Sequence, residues 1–389
     1  MSIKVANVIE EGRMGGPQRR IVEVAARMNS DRPSAEHVSV ESIVFLPRKH
    51  STDFQLLLEE RNVKYRTIPL TGLSRNLKIL LSYCLSFPFE VWCLFASFRK
   101  DGIDIVHSSG GAWQFKGVIA GKLACRRVIW HLNDTGMPLA FRTLCGFLTK
   151  HFVDALFLAG NRVKDYYLGQ DVSRNDIPFF TIQAPVDCSF FDPNKIEQDS
   201  IEAEDKLTNI VTIGNVNPFK GYEFFLHMAE LLTHSRSDLS FHIAGALYES
   251  QNRYIHQLMV IKQQCNLRNV HFLGKLRDIR ALLKTCHIYV CSSVAEASPI
   301  SVWEAMAMEK AIVSTDVGDV AQFIRDGSSG FIVPVADPSA LAEKVAILVE
   351  NPDLRIAFGR KARATAVEFL DVSVAARNHQ EAYRAVMSG

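Results

Sequence analysis

Short apolar, β-branched runs alternate with segments of helical periodicity along most of this chain of 389 residues. The alternation begins with "IKVANVI" and the amphipathic "GPQRRIVEVAARMN", and it continues to "DALFLAG" near residue 160. It restarts near residue 207 with "NIVTIGNV" and runs through "SFHIAG", "NVHFLG", "IYVCSS", "AIVST" and "FIVPV". Strands that alternate with helices are typical of parallel sheets covered on both faces by crossover helices. Two such series predict an α/β protein with two doubly wound domains.

A turn-rich stretch, "IQAPVDCSFFDPNKIEQDSIEAEDK" at residues 182–206, separates the two series. We predict an N-terminal doubly wound domain over residues 1–190 and a C-terminal doubly wound domain over residues 191–365. Residues 366–389 are expected to form a helix that crosses back to the first domain. Ligands of such sheets bind beyond the carboxyl ends of the strands, so we expect a site in a cleft between the domains.

The net charge of +2 conceals an asymmetry between the two halves. Residues 1–190 carry 24 Lys+Arg and 18 Asp+Glu, a net +6, and the remainder carries 20 and 24, a net −4. A mildly basic first half suits an anionic partner such as a membrane surface, or it reflects chance on a solvated surface. Dense basic runs with interleaved aromatic residues are absent from the sequence, and we expect no nucleic-acid partner.

The cysteines and the N-terminal residues indicate the cell compartment. The eight cysteines show no C-x-x-C spacing, and most, such as Cys84 and Cys286, have apolar neighbours in the sequence. Free, reduced thiols favour the cytoplasm. The opening "MSIKVANVIEEGRMGG" carries Glu10 and Glu11 where an export signal has an apolar run, and we predict no such signal.

One apolar segment, "ILLSYCLSFPFEVWCLFASF" at residues 79–98, is nearly long enough to span a bilayer. Pro88 and Glu90 interrupt this segment, and the strand-like "DIVH" follows it. Three alternatives stay open: a helix pair packed in the core, an element on a membrane surface, or a true span. The interruptions favour the helix pair.

Several kinds of chemistry lack their motifs in this sequence. No G-x-G-x-x-G follows the first strand, and "GVIAGKL" lacks the spacing and the Ser/Thr of a phosphate loop. "GSSG" is not a nucleophile elbow, and neither H-E-x-x-H nor a Cys/His ligand cluster occurs. Redox chemistry, ATP hydrolysis and zinc-dependent hydrolysis are therefore poorly supported.

The joints between strands and helices in the second half carry candidate binding residues. Gly214 ends one strand, and Lys220 precedes the next helix, where a lysine meets phosphate oxygens or is simply exposed. Gly274 closes another strand, and the backbone after it, near Leu276, can meet the edge of a flat ring. Gly318 lies at a further joint between a strand and a helix, and a structural role is favoured for it.

The stretch "AEASPISVWEAM", residues 295–306, places two glutamates eight positions apart. A helix that begins near Ile300 would point its free N–H groups and positive dipole end into the cleft, as an anion site. Glu304 would accept two hydroxyls of a ribose, or merely favour the helix dipole. Glu296 would do the same for a second sugar, or lie in a surface loop. Together these features describe a nucleoside diphosphate that carries a sugar.

The chain resembles the retaining glycosyltransferases of family four, which have the GT-B fold of two Rossmann-like domains facing each other across a cleft. The likeness is carried by "GNVNPFKG", "VHFLG", the E-x7-E stretch, "EAMAMEKAIVSTDVGDV" and "DGSSGFIVPVADPSALA", over most of residues 207–350. In the first half, "MGGPQRRIVEVA" resembles the glycine-rich N-terminal turn of the family. "VIWHLND" resembles the strand that bears its active-site histidine.

The resemblance implies a role for each matching residue. Glu304 would bind the donor ribose, Glu296 would contact the transferred sugar, and Lys220 would neutralise the diphosphate. His131 would lie beside the reacting sugar, although a lone histidine on a strand is otherwise a core residue. The implied catalytic set is His131, Glu296 and Lys220. The implied donor-binding set is Gly15, Gly16, Gly214, Lys220, Gly274, Leu276, Glu296, Ser298, Pro299, Ile300, Ser301 and Glu304.

This chain departs from the family pattern at several positions. Asn215 stands where the family usually has an arginine, so Arg19 or Arg277 would have to supply that charge, or donor binding is looser. Ala297 replaces a common glycine, and its turn must avoid positive φ or tolerate strain. Ala184-Pro185 replaces the usual Asn-Gly of the linker.

The implied reaction is hexosyl transfer, with retention, from a UDP- or GDP-sugar to a glycan or lipid-linked acceptor in polysaccharide or lipopolysaccharide biosynthesis. Front-face attack with the departing phosphate oxygen as base is favoured over a covalent intermediate, since no carboxylate is placed as a nucleophile. Lys220, a helix N-terminus and backbone amides can stabilise the leaving group, so no metal or cofactor is expected. We expect a cytoplasmic protein, peripheral at the inner face of the membrane.

Two alternatives to this function stay open: a sugar-nucleotide 2-epimerase of the same architecture, and a non-catalytic protein that binds sugar nucleotides. Acceptor recognition is expected within residues 10–20, 48–80 and 108–140.

Overall fold

The computed structural model of the chain describes residues 2–30, 39–73, 77–169, 177–196 and 207–388. The chain forms two compact units, Met1–Pro185 with Val372–Gly389, and Val186–Asp371. Each unit is built on one parallel sheet, and the predicted pair of doubly wound domains is confirmed.

The first sheet has seven parallel strands in the order β3-β2-β1-β4-β5-β6-β7, and the order reverses between β1 and β4. Its strands are β1 Ser2–Val8, β2 Ser39–Pro47, β3 Lys64–Ile68, β4 Ile105–Ser108, β5 Arg127–Leu132, β6 Ala155–Leu158 and β7 Phe179–Thr181. The second sheet has six in the order β10-β9-β8-β11-β12-β13. Its strands are β8 Thr208–Ile213, β9 Leu239–Ala244, β10 Val270–Gly274, β11 Ile288–Cys291, β12 Ala311–Thr315 and β13 Phe331–Val333.

Helices connect the strands of both sheets. Those in the first unit are α1 Gly16–Ser30, α2 Thr52–Glu60, α3 Leu77–Lys100, α4 Phe115–Leu123, α5 Leu139–Phe152 and α6 Asn161–Leu168. Those in the second unit are α7 Tyr222–Thr233, α8 Asn252–Gln264, α9 Arg280–Thr285, α10 Ile300–Ala307, α11 Val320–Phe323, α12 Pro338–Glu350 and α13 Pro352–Thr365. The last helix, α14 Val372–Ser388, belongs to the first unit and packs on α1.

The second sheet separates two apolar cores, which hold its loops in place. On one face, Phe225 of α7 and Leu258 of α8 pack against strand residues such as Phe241. On the other face, Trp303 of α10 packs in a cluster with Tyr289 of β11. These side chains are almost entirely removed from solvent, and their burial favours the folded state.

The units divide after Pro185 and Asp371, whereas the sequence places the divisions after residues 190 and 365. The segment that begins at Val186 belongs to the second unit because Val186 pairs with Asp371 in an isolated bridge. The N–H of Cys188 donates to the Asp371 carboxylate at 3.1 Å, and Phe191 is buried in the second core. Residues 197–206 of the predicted linker lie outside the described residues.

The apolar segment at residues 79–98 forms one continuous helix, α3, and the favoured helix pair is wrong. The chain stays helical through Pro88, and beyond it the Glu90 carboxylate lies 2.6 Å from the Lys116 ammonium. Lys78–Lys100 is long and apolar enough to cross a membrane, judged by length and composition alone.

Helix α3 packs on the first unit along one side. Leu94 and Phe98 are fully buried, whereas Leu85 is 75% exposed and Trp92 is 61% exposed. Cys84, expected in apolar surroundings, is exposed on the same helix. All eight cysteines are free, as the sequence predicts.

Candidate functional site

The carboxyl ends of β8 and β11 flank the position where the order of the second sheet reverses. Ligands of doubly wound sheets bind at such a switch point. Gly214 follows β8, and a short 3-10 turn, Pro218–Lys220, then leads into α7. Ser293 and Glu296 follow β11 and lead into α10. The chain thus brings the predicted residues of two separate joints to one edge of the sheet.

Lys220 and Glu296 form an ion pair across this switch point. The Lys220 Nζ lies 2.6 Å from Glu296 Oε1, and the two side chains are 20% and 17% exposed. The Ser293 hydroxyl donates to the same carboxylate oxygen at 3.0 Å. Burial opposes the charge on Lys220, but the Glu296 carboxylate outweighs it and raises the pKa of Lys220 above its ordinary value. The site therefore presents a fixed ammonium at neutral pH.

Glycines allow the Lys220 side chain to lie close to the sheet. A Cβ on Gly214 would lie 2.6 Å from Lys220 Cε, so the lysine stem runs directly over this glycine. Gly221 has a φ of +57°, and a Cβ there would overlap the carbonyl oxygen of Ser292. Asn217 accepts a hydrogen bond from the Phe219 N–H at 3.0 Å, which fixes the 3-10 turn.

Helix α10 begins at Ile300, which confirms the predicted start. The first N–H groups of a helix have no partner within the helix, and they carry the positive end of its dipole. The loop before the helix is fixed by a hydrogen bond of 3.1 Å from the Trp303 indole to the Ser298 hydroxyl. Glu304, in the second turn, is only 3% exposed, and its charge contributes to the raised pKa of Lys220.

The turn between Glu296 and α10 avoids the strain that Ala297 could impose. Ala297 is not among the described residues with positive φ, and Pro299 is extended, with φ −78° and ψ 93°. Gly318 takes the left-handed conformation instead, with φ +53°. A Cβ on Gly318 would lie 2.5 Å from the Ala297 carbonyl oxygen, so the loop at Gly318 packs directly against this turn.

The residues predicted near the base lie close in sequence to Arg277, a candidate for the charge that Asn215 lacks. Gly274 ends β10 with a φ of +67°, and the space beside its missing side chain is open. Leu276 packs partly into the apolar core instead of facing outwards. Asn215 accepts a hydrogen bond of 3.4 Å from the Ala246 N–H, and Arg277 is exposed. Their roles toward a nucleotide stay predictions.

In the first unit, the glycine-rich turn leads directly into α1. Gly16 is the first residue of the helix, and the Gly15 carbonyl accepts a hydrogen bond from the Arg19 N–H at 3.1 Å. The turn follows β1, at the edge where the order of the first sheet reverses. Contact of Gly15 and Gly16 with a phosphate stays a prediction.

His131 is fully buried on β5 and contacts protein groups. Its Nδ1 lies 2.6 Å from the Arg20 guanidinium and 3.2 Å from His107 Nε2. Burial, together with Arg20, lowers the pKa of His131 well below its ordinary value, which keeps the ring neutral. The side chain lies among core residues because β5 is buried along nearly its whole length. Contact with a sugar would therefore require this cluster to open.

The sequence did not single out Asp134, which follows β5 at the sheet edge. Its carboxylate accepts hydrogen bonds from the Ala112 N–H at 3.2 Å and the Tyr167 hydroxyl at 2.9 Å. Gly111, with a φ of +97°, leaves room for this side chain, since a Cβ there would lie 2.5 Å from Asp134 Oδ2. Burial raises the pKa of Asp134. The signal was a carboxylate placed directly after an apolar strand.

A buried ion cluster at the end of β1 was also not predicted. The Lys116 ammonium is fully buried, 2.6 Å from Glu90 and 3.5 Å from Glu10. Burial raises the pKa of Glu10 to about 7, although Lys116 opposes this shift. The cluster joins α3, α4 and the loop after β1, so it positions the glycine-rich turn that follows.

Comparisons with known proteins assign the second unit to a family. Residues 194–365 match the family model of the glycosyl transferases group 1. The lipopolysaccharide core biosynthesis mannosyltransferase LpcC of Rhizobium leguminosarum bv. viciae is 27% identical over 256 residues, 61% of this chain and 72% of that protein. The N,N'-diacetylbacillosaminyl-diphospho-undecaprenol α-1,3-N-acetylgalactosaminyltransferase of Campylobacter jejuni is 33% identical over 118 residues, only 30% of this chain and 31% of that protein.

Solved structures of similar fold cover nearly the whole chain. A glycosyltransferase from Rickettsia africae superposes with a TM-score of 0.82 at 18% identity, over 99% of both chains. HepE from Anabaena, solved with UDP and glucose, superposes with a TM-score of 0.82 at 16% identity, over 98% of this chain and 99% of that chain. At these identities the likeness establishes the GT-B fold.

Proposed function

We propose that this chain, whose residues 194–365 match the group 1 glycosyltransferases, transfers a sugar from a UDP- or GDP-sugar to a glycan or lipid-linked acceptor, with retention of configuration. The observation that carries the proposal is the Lys220–Glu296 pair at the β8/β11 switch point. The N-terminus of α10 and the carboxylate of Glu304 lie in the next segment of chain. These are the groups that a sugar diphosphate requires.

Lys220 and α10 stabilise the leaving group in this proposal. Transfer breaks the bond between the sugar carbon and the diphosphate oxygen, and negative charge develops on the diphosphate. The ammonium has three donors, of which one is bonded to Glu296, so two remain for phosphate oxygens. The helix N-terminus adds further donors to the same anion. Such donors in a partly buried site typically contribute a factor of about 10²–10³ to kcat.

The two glutamates recognise the two sugars of the donor. Glu304 accepts hydrogen bonds from the ribose hydroxyls, which suits an acceptor-only group that is 3% exposed at the helix start. The bonds from Lys220 and Ser293 both go to Glu296 Oε1, so Oε2 accepts from a hydroxyl of the transferred sugar. The ion pair therefore sets the distance between diphosphate and sugar.

Retention follows when the acceptor hydroxyl attacks from the face that the diphosphate leaves. The departing phosphate oxygen then takes the proton of the acceptor, and no enzyme nucleophile is needed. We assign leaving-group stabilisation to Lys220 and α10, without a metal ion or other cofactor. His131 is given no contact with the donor in this scheme, because its ring is fully buried.

The acceptor belongs to polysaccharide or lipopolysaccharide-type biosynthesis in this proposal, because relatives carry names from lipopolysaccharide core and undecaprenol-linked glycan synthesis. Peripheral contact at the cytoplasmic face of the membrane is assigned to α3. Its exposed side carries Leu85 and Trp92, and its last turn carries Arg99 and Lys100. Apolar side chains beside basic ones suit a surface of anionic lipid.

Sedimentation with vesicles tests the membrane contact. The Leu85→Ser/Trp92→Ser variant is expected to lose most of its binding to vesicles of anionic lipid, because it removes two large exposed apolar groups. Leu231→Ser, which alters an apolar residue of α7 that is 47% exposed, is the matched control. Equal binding of both variants contradicts the assignment to α3.

Transfer assays with a panel of UDP- and GDP-sugars and lipid-linked acceptors test the reaction, and NMR of the product reports its anomeric configuration. Transfer with retention is expected; Lys220→Ala should lower kcat by a factor of about 10²–10³, and Glu304→Ala should weaken donor binding by about 10-fold or more. Unchanged transfer in both variants refutes the assigned site. A modified donor formed without acceptor indicates an epimerase, and donor binding without turnover indicates a non-catalytic protein.

A further inference from the structure

A group of metal-ligating side chains lies on the helices of the second unit, away from the switch point. His227 and Glu230 are one turn apart on α7, and Cys265 directly follows α8. The His227 Nδ1 lies 3.1 Å from Glu230 Oε2, and the imidazole nitrogen, a carboxylate oxygen and the Cys265 sulfur all lie within 4.8 Å of one another. No other group of this kind was found among the described residues.

The spacing of these atoms is close to that of a tetrahedral zinc site. Zinc–ligand bonds of roughly 2.0–2.3 Å require ligand atoms roughly 3.3–3.6 Å apart. The His227–Glu230 pair already has about this separation, and the Cys265 sulfur lies within 4.8 Å of both ligand atoms. The backbones are fixed, because α7 and α8 pack together and Cys265 lies partly against the apolar core.

The ligand types also select the class of metal. Imidazole, thiolate and a single carboxylate suit Zn²⁺ and Co²⁺, whereas Mg²⁺ and Ca²⁺ prefer oxygen ligands alone. All three side chains are partly exposed, so a cation enters from solvent and water fills the fourth position. Burial, reinforced by the adjacent Glu230, raises the pKa of the Cys265 thiol. Metal binding has to displace that proton, so affinity should increase with pH.

We propose that His227, Glu230 and Cys265 form a binding site for a divalent cation of the zinc class, which clamps α7 to α8. The site is separate from the proposed sugar transfer, since none of its three side chains contacts the Lys220–Glu296 pair. It does support the same region, because α7 begins two residues after Lys220. A bound cation therefore stabilises α7, the helix that directly follows Lys220.

Hydrogen bonding alone is the competing explanation for the cluster. Glu230 accepts from His227 and from the Cys265 thiol, and these bonds hold the three groups together without a cation. The two explanations differ in one measurable property: only a metal site forms a thiolate–metal bond.

Titration of the reduced full-length protein with Co²⁺ tests the proposal by absorption spectroscopy. We expect one equivalent to produce a thiolate-to-cobalt charge-transfer band and the visible bands of a tetrahedral centre. Cys265→Ser should lose the charge-transfer band, and His227→Ala should weaken affinity by at least about 10-fold. Cys125→Ser, which alters an exposed cysteine of the first unit, is the matched control and should keep the full signal.

Thermal unfolding with Zn²⁺ gives a second measurement. Zn²⁺ should raise the Tm of the parent protein and of Cys125→Ser, and it should leave that of Cys265→Ser unchanged. The absence of a stoichiometric charge-transfer band, or its persistence in Cys265→Ser, overturns the proposal. Neither outcome affects the proposed transfer reaction, since Co²⁺ and Zn²⁺ are tested without any sugar donor.

Discussion

Replacing Lys220 with methionine removes the ammonium that is assigned to the leaving diphosphate and keeps a side chain of similar length. The ammonium is 2.6 Å from Glu296, and its side chain is only 20% exposed, so solvent screens it weakly. Loss of one such donor typically costs a factor of about 10²–10³ in kcat, which corresponds to about 3–4 kcal/mol. We expect kcat to fall within that range.

The substitution also leaves Glu296 without its cation. The Ser293 hydroxyl still donates to the carboxylate, but the uncompensated negative charge now repels the donor diphosphate and raises KM. The double variant Lys220→Met/Glu296→Gln removes both charges. It should recover part of the donor binding without recovering kcat, with a coupling energy of about 1–3 kcal/mol.

Steady-state kinetics with the preferred donor separates these two effects, and the Tm of each variant checks that folding is retained. Lys344→Met is the matched control, because Lys344 lies 2.9 Å from Glu343 on the surface of α12. This control should leave kcat unchanged. A kcat of Lys220→Met within about 3-fold of the parent refutes the assigned role of Lys220, because the loss of one charged donor has a much larger effect. An equal loss of kcat in Lys344→Met refutes it as well.

Three further predictions concern Glu304 and Gly318 of the second unit and Glu10 of the first unit. Glu304→Gln should weaken UDP or GDP binding by about 10-fold in calorimetry, as expected for the loss of hydrogen bonds to a charged group, whereas Glu350→Gln at the surface should not. Gly318→Ala should lower the unfolding free energy by about 1–3 kcal/mol in denaturant titrations, since its φ is +53° and the Cβ would press on Ala297. Burial raises the pKa of Glu10 from 4.5 to about 7, so the folded chain binds the extra proton between these values. The unfolding free energy should therefore fall by up to about 3 kcal/mol as pH rises through that window, and Glu10→Gln should remove this fall.

The fold was largely predictable because buried parallel strands leave a local signal. β11 and β12 are buried along their whole length and appear in the sequence as continuous apolar runs. The two strands that the sequence did not indicate lie at the edges of the first sheet. In β3, "KYRTI", exposed and half-buried residues alternate and only Ile68 is buried, and β7 has three residues, so neither forms an apolar run.

The candidate site in the second unit was predictable for a related reason. In a doubly wound sheet, the loops after successive parallel strands meet at one edge, so motifs such as "GNVNPFKG" and "AEASPISVWEAM" identify neighbours in space. The ion cluster of the first unit has no such signal. Glu90 lies inside the apolar helix α3 and Lys116 lies in α4, and only the packing of these two helices brings the two side chains together. His131 lies on β5 as its motif indicates, and its place beside a reacting sugar stays a prediction.

The same ion cluster decides between two of the alternatives for α3. Glu90 lies within the apolar segment, and its carboxylate is 2.6 Å from the Lys116 ammonium in a fully buried position. If α3 left the first unit to cross a bilayer, Lys116 would lose the nearer of its two carboxylate partners and keep Glu10 at 3.5 Å, and Glu90 would enter the lipid alone. Breaking one buried ion pair typically costs about 3–5 kcal/mol, before the cost of placing a carboxylate in hydrocarbon is added. The exposed face with Leu85 and Trp92 can meet a membrane surface while the pair stays intact. The charge within the apolar segment therefore favours a helix that lies on a membrane over one that crosses it.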